Sequence, residues 1–96
     1  TTGEVKVPCP EEKKLETVEA IRQAFTDYEA STIDGVRVRF NNEDGEQTGW
    51  YLARKSNTEP ILVMRVEAVD ENELNSLLGL IDSRVSSIID ISKLLA

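Results

Sequence analysis

The chain has 96 residues, enough for roughly one domain, and its 18 Asp and Glu against 11 Lys and Arg give a net charge of −7. This acidic balance argues against non-specific binding to nucleic acid or to an anionic membrane, so an anion site must be a local positive cluster. The chain contains no histidine and one cysteine, which excludes a Ser-His-Asp triad, a Cys-His pair and an internal disulfide.

The sequence was next considered for membrane segments, a signal peptide and an initial methionine. No apolar run is long enough to span a bilayer, and the N-terminus lacks the anatomy of a signal peptide, so we expect no membrane partner. The first residue is Thr1 rather than Met, which suggests a processed chain or a piece of a longer protein. We expect residues 1–96 to form a single domain.

The first half of the chain predicts a strand, a helix and a second strand. Residues 4–8 alternate polar and apolar, as in a strand, and a helix is predicted from about Pro10 to Glu29. Its apolar face would consist of residues at helical spacing: Leu15, Val18, Ile21, Phe25 and Tyr28. Residues 30–35 are predicted as a connection because they end in an Asp-Gly turn signal.

Apolar and charged residues alternate strictly from 36 to 40. This pattern predicts a strand with two arginines, Arg37 and Arg39, on one side. These arginines are either anion ligands or the solvated face of an antiparallel strand, and we favour the solvated face. The polar residues 41–49 predict a hairpin loop. Their carboxylates raise a calcium hypothesis, but the spacing lacks the arrangement of an EF-hand.

Two further strand patterns, residues 49–53 and 61–68, precede a final helix that is expected to run to the end of the chain. Asp70 can cap this helix, with Glu73 completing a capping-box pattern. Its apolar residues are Leu74, Leu77, Leu78, Ile81, Val85, Ile88 and Leu95. Ile89, Ile91 and Leu94 widen the stripe, which is either additional core or a contact for another domain.

The order is therefore strand, helix, strand, strand, strand, helix. Hairpin-length links make the three later strands antiparallel neighbours, and each helix has one apolar stripe to bury. We predict an α+β fold with two layers, in which two helices cover one face of a roughly four-stranded, mainly antiparallel sheet.

The polar loop between the last two strands is the candidate site. Arg54 offers a planar fork of donors that can meet two oxygens at once. Ser56, Asn57 and Thr58 add short donors, and a turn-prone backbone can point N–H groups at one spot. Together these groups suit a dianionic phosphate. The alternative from the loop alone is a tight turn between strands that happens to be polar.

Four stretches together resemble the C-terminal domain of the α-D-phosphohexomutases. They are Asp34-Gly35-Val36-Arg37-Val38, Gly49-Trp50-Tyr51-Leu52, Arg54-Lys55-Ser56-Asn57-Thr58-Glu59-Pro60 and Val63-Met64-Arg65-Val66-Glu67-Ala68. The third fills the family's phosphate loop, Arg-x-Ser-x-Thr-x-Pro. Asn57 is similar to the phosphomannomutase/phosphoglucomutase branch, since the phosphoglucosamine mutase branch tends to have glycine there.

The resemblance implies a TATA-binding-protein-like fold and a part in a cytoplasmic isomerase that interconverts hexose 1-phosphate and hexose 6-phosphate. In that enzyme a phosphoserine elsewhere transfers the phosphoryl group through a bisphosphate intermediate, with Mg²⁺ assisting. This domain would hold the non-transferred phosphate of mannose or glucose phosphate through Arg54, Ser56, Asn57 and Thr58. It would contain no catalytic residue, metal or cofactor, and its partners would be the other three domains.

A second hypothesis, from another class, is a small acidic protein-interaction module without phosphate specificity. It is motivated by the wide apolar stripe of the last helix and by the arginine face of the first long strand. An autonomous enzyme is disfavoured, because no residue pair supplies a recognisable nucleophile with its base.

Overall fold

A computed structural model describes residues 1–32 and 35–96, which form an open sheet with helices packed on one face. The bounds are β1 Val5–Pro8, α1 Lys14–Ala24, β2 Glu29–Ser31, β3 Val36–Asn41, β4 Gln47–Lys55, β5 Ile61–Ala68, α2 Glu71–Val85 and α3 Ser92–Leu95. A 3-10 turn, Glu11–Lys13, leads into α1.

The sheet order is β1-β5-β4-β3-β2, and every neighbouring pair is antiparallel. Buried and exposed side chains alternate along the strands. One face of the sheet is therefore buried under α1 and α2, while the other face is open to solvent. The buried face carries, among others, Val36, Val38, Phe40, Tyr51, Ala53, Leu62, Met64 and Val66. The predicted two-layer α+β fold is confirmed.

The strand count is five rather than the expected four, because β2 forms where the sequence predicted the end of a helix and a connection. Helix α1 ends at Ala24, and a turn bond from the N–H of Tyr28 to the Phe25 carbonyl (3.0 Å) follows. The two rings still meet edge to face at 6.0 Å on the core side. The spacing of Phe25 and Tyr28 is that of a helix, although both residues follow the last residue of α1.

The start of α1 departs from the predicted apolar stripe. Leu15 is 71% exposed, whereas its neighbour Lys14 is 2% exposed. The 3-10 turn before α1 advances three residues per turn instead of 3.6, which alters the angular position of the first helical residues. The later members of the stripe, Ile21 and Phe25, are buried as predicted.

The final helix stops at Val85 instead of running to the end of the chain. The turn after it brings a short helix, α3, against β1. Ile91 and Leu94 are 1% and 2% exposed within the same core as the sheet, and Ile89 packs against that core. The wide apolar stripe is therefore largely covered by the chain itself, which removes one motivation for the interaction-module hypothesis.

The predicted cap of α2 is present, because the Asp70 carboxylate accepts the N–H of Glu73 at 2.8 Å. We expect Asp70→Ala to lower the free energy of unfolding by about 1 kcal/mol, the usual cost of losing an N-cap. Urea unfolding followed by circular dichroism measures this change. Asp44→Ala, which removes a carboxylate from the exposed β3–β4 loop, is the control and should be nearly neutral; an equal loss in both variants would contradict a capping role.

Candidate functional site

The loop of residues 56–60 joins β4 to β5 at one end of the sheet. Its entry is fixed by a bond from the Ser56 N–H to the Ile61 carbonyl at 3.2 Å. Its exit is tied to the chain after β1, since the Cys9 N–H donates to the Pro60 carbonyl at 2.9 Å. The loop is therefore anchored to three strands of the sheet and can hold a defined shape.

Arg54, the first predicted site residue, lies near the end of β4 and faces the open side of the sheet opposite Val63. Its side chain is 37% exposed. Within the described ranges its only ion-pair partner is Glu4, and the contact between Nη2 and Oε1 is 4.0 Å long. A contact this long leaves the guanidinium donors largely available for a bidentate anion.

Gly35 packs directly against the backbone that carries Arg54. Its φ is +110°, and a Cβ placed on it would lie 2.6 Å from the Ala53 carbonyl oxygen and 2.8 Å from the Arg54 Cβ. Both the dihedral angle and the space therefore require glycine. Asp34, the other half of the predicted turn signal, lies outside the described residues.

The two hydroxyl groups of the loop lie together, with 3.4 Å between Ser56 Oγ and Thr58 Oγ1. Ser56 Oγ also accepts the N–H groups of Thr58 at 3.3 Å and of Glu59 at 3.2 Å. These local bonds hold the loop as a compact turn. Two of the loop's N–H groups, those of Thr58 and Glu59, therefore already have an acceptor within the loop.

Asn57 is exposed at the tip of the loop. Its N–H is the one among residues 56–59 for which the described part of the chain supplies no acceptor. Both its amide side chain and its backbone N–H are thus available to an anion.

Lys14 is a residue of this site that the sequence reasoning missed. Although α1 carries it, its Nζ reaches the Ser56 carbonyl oxygen at 2.5 Å and the Glu11 carboxylate at 2.9 Å. Lys14 and Ser56 are 42 positions apart, and the sequence pattern offered no signal that they meet. The first turn of α1 thus supports the loop from the buried side.

The one carboxylate of the loop, on Glu59, is drawn toward β1. It accepts from Lys6 Nζ at 3.2 Å. This pair offsets part of the negative charge that the Glu59 carboxylate brings to the loop.

The open face of the sheet carries Arg37, Arg39 and Arg65 around the single tryptophan. Arg37 and Arg39 are exposed, as expected for a solvated strand face, and the Arg37 guanidinium lies 4.5 Å from the Trp50 ring centre. Arg65 donates to Glu67 at 2.6 Å, and this hydrogen bond holds the pKa of the Glu67 carboxyl below its usual value. Arg65 therefore has a closer partner than Arg54, whose contact with Glu4 is 4.0 Å long.

Residues 1–32 and 35–96 lack both a metal-binding cluster and a membrane-spanning helix. No three His, Cys, Asp or Glu side chains converge in a way that could hold a metal ion. No helix in these ranges has the length and apolar character needed to cross a bilayer.

The sequence that forms this site matches a known family. The model of the phosphoglucomutase/phosphomannomutase C-terminal domain matches residues 4–82, most of the chain. A protein named probable phosphoglucosamine mutase, from Thermococcus kodakarensis, is 42% identical over 82 residues, which cover 81% of this chain and 17% of the relative.

Other relatives carry the name of the second branch. Phosphomannomutase/phosphoglucomutase of Pseudomonas syringae pv. tomato is 32% identical over 92% of this chain and 18% of the relative, and that of Pseudomonas putida is 38% identical over 80% and 16%. The chain thus spans about a sixth of the length of the curated relatives it matches. Its matched residues include β1 to β5 and the loop of residues 56–60, and the chain belongs to the phosphoglucomutase/phosphomannomutase C-terminal domain family.

Proposed function

We propose that this chain is the substrate-phosphate-binding domain of a phosphomannomutase/phosphoglucomutase. The observation that carries the proposal is Arg54, a loosely paired guanidinium beside a loop whose two hydroxyls lie 3.4 Å apart. In an acidic chain this is a local positive site, with Arg54, Ser56, Asn57 and Thr58 as its donors. Residues 1–96 act as one domain in this proposal.

The proposed role is to hold the phosphate that is not being transferred. A phosphoserine elsewhere in the parent enzyme exchanges its phosphoryl group with a hexose 1- or 6-phosphate, and the bisphosphate intermediate reorients between the two transfers. Either phosphate must then fit the same site, so the site should recognise phosphate itself and not one end of a sugar. Donors that grip a dianion in this way also position the substrate, which is the main protein contribution to phosphoryl transfer.

The parent enzyme supplies the rest of the chemistry in this proposal. The other three domains would provide the phosphoserine, the Mg²⁺ site and the residues that read the sugar, in a cytoplasmic enzyme acting on mannose or glucose phosphates. The relatives carry both mutase names, and Asn57 is the residue that favours the phosphomannomutase/phosphoglucomutase branch.

An amide-shift NMR titration of the 96-residue chain with glucose 1-phosphate tests the proposal. We expect the shifts to be confined to residues 54–59, because the donors lie there, and to be lost in Arg54→Ala. Glucose without phosphate is the matched ligand control and should leave these amides unmoved. Shifts centred on another surface, or no response at tens of millimolar, would count against phosphate binding by this domain.

A further inference from the structure

We propose that Lys14 is a positioning residue of the phosphate site, which aims the backbone N–H of Asn57 at the substrate phosphate. The inference rests on the proposed function, because it assigns a new residue to the same site. Its basis is the contact of the buried Lys14 ammonium with the Ser56 carbonyl oxygen at 2.5 Å.

The geometry of the peptide bond links this contact to Asn57. The peptide unit that joins Ser56 to Asn57 is planar and trans, so its C=O and N–H point in opposite directions. Lys14 is 2% exposed, and it therefore holds the Ser56 oxygen toward the interior. The N–H at the other edge of the same plane is then directed outward, where the phosphate would arrive.

The remaining bonds of the loop make this N–H the relevant one. The Ser56 N–H is paired with Ile61, and the N–H groups of Thr58 and Glu59 are both accepted by Ser56 Oγ. Within residues 56–59 the Asn57 N–H is left without an acceptor in the described chain. A backbone N–H fixed from behind is a preorganised donor, which needs no rearrangement when the anion binds.

Fold stability alone gives a poor account of a lysine at this position. Burying an ammonium is costly, and a cation in the first turn of a helix opposes the helix dipole. Glu11, whose carboxylate lies 2.9 Å from Nζ, offsets part of this cost but is itself 72% exposed. An apolar residue would fill the same space without this cost, so the ammonium is best explained by what its donors hold.

The test compares Lys14→Met with Lys13→Met in the full-length enzyme. Lys13 is the adjacent lysine and is exposed, which makes it the matched control. We expect Lys14→Met to raise KM for the hexose phosphate and the inhibition constant of inorganic phosphate about tenfold, the scale of one hydrogen bond to a charged group. We expect kcat to stay nearly constant, because the phosphate is held equally in the ground and transition states. Lys14→Arg, which keeps charged donors, should recover part of the affinity.

Several outcomes would overturn the inference. Unchanged phosphate inhibition in Lys14→Met, while Arg54→Ala loses it, would reject the role of Lys14 and leave the proposed function standing. Unchanged inhibition in Arg54→Ala would instead reject the proposed function. If Lys14→Met fails to fold, an NMR titration of the wild-type enzyme labelled with ¹⁵N-asparagine provides the test. We expect inorganic phosphate to shift the Asn57 amide resonance. No shift of that resonance would refute the proposal.

Discussion

Replacing Arg54 by alanine is expected to lower kcat/KM of the full-length enzyme roughly 30- to 150-fold. This corresponds to a loss of about 2–3 kcal/mol of transition-state stabilisation. The loss should appear mainly as a higher KM. Arg54 has only a 4.0 Å contact with Glu4 in the described chain, so its donors are free to contribute most of their hydrogen bonding to the substrate. Steady-state kinetics with glucose 1-phosphate or mannose 1-phosphate measure the effect.

Two further variants make the Arg54 result specific. Arg54→Lys keeps the charge but loses the planar fork, and we expect it to recover only part of the lost affinity. Arg39→Ala removes an exposed arginine from the same open face, where its Nε donates to Asn41 at 3.0 Å, and should change kcat/KM little. Kinetics of Arg54→Ala close to those of the wild type would refute the assignment of this loop.

Gly35→Ala is expected to destabilise the domain by about 2–4 kcal/mol, since it combines an unfavourable backbone dihedral with overpacking. The added Cβ would lie 2.6 Å from the Ala53 carbonyl oxygen, and rigid backbone cannot move aside as a flexible side chain can. In a domain of this size such a loss lowers Tm by roughly 10 °C or more. Urea unfolding followed by the fluorescence of the single tryptophan, Trp50, provides the free energy.

Gly45 supplies the matched control for Gly35. Its φ is also positive, +83°, but a Cβ on it would meet nothing within 4 Å. Gly45→Ala should therefore lower the free energy of unfolding by only about 1 kcal/mol, the cost of placing alanine at a positive φ. If both substitutions cost the same, the close packing of Gly35 against β4 would not matter. Because two of the three crowded atoms, Cβ and Cα, belong to Arg54, Gly35→Ala should also weaken phosphate binding, whereas Gly45→Ala should not.

The predicted elements differ from the observed ones where local spacing and tertiary packing compete. Phe25 and Tyr28 keep a helical spacing, yet a turn separates them and a fifth strand, β2, begins at Glu29. The three-residue β2 pairs with β3 at the edge of the sheet. Residues after Val85 retain an apolar pattern, but they fold back onto β1 as α3. In the first and last of these regions the pattern identified residues that do pack in the core, such as Phe25 and Leu94, but it misjudged the backbone around them.

The candidate site shows a similar division. Arg54, Ser56 and Thr58 were predicted from one continuous stretch of sequence, since short-range spacing fixes how such residues sit on a strand and its turn. Lys14 was not predicted, because its contact with Ser56 spans 42 positions and involves a backbone oxygen. Every residue has a backbone carbonyl group, so the residue type at position 56 gives no indication that a lysine binds there.

Patterns in the sequence were enough to predict the α+β class and the antiparallel order of the three long strands, and they identified residues 54–60 as the candidate anion loop. Alternation along strands, turn chemistry and local motifs depend on neighbouring residues, and a linear sequence displays them directly. Which hydrogen-bonding groups of the loop remain available could be read only from the folded chain. Ser56 Oγ takes up two N–H groups, and Lys14 fixes the peptide that leaves the Asn57 N–H exposed. The physical reason is that a hydrogen-bonding group's availability depends on the partners that folding brings to it, and these partners are distant in sequence.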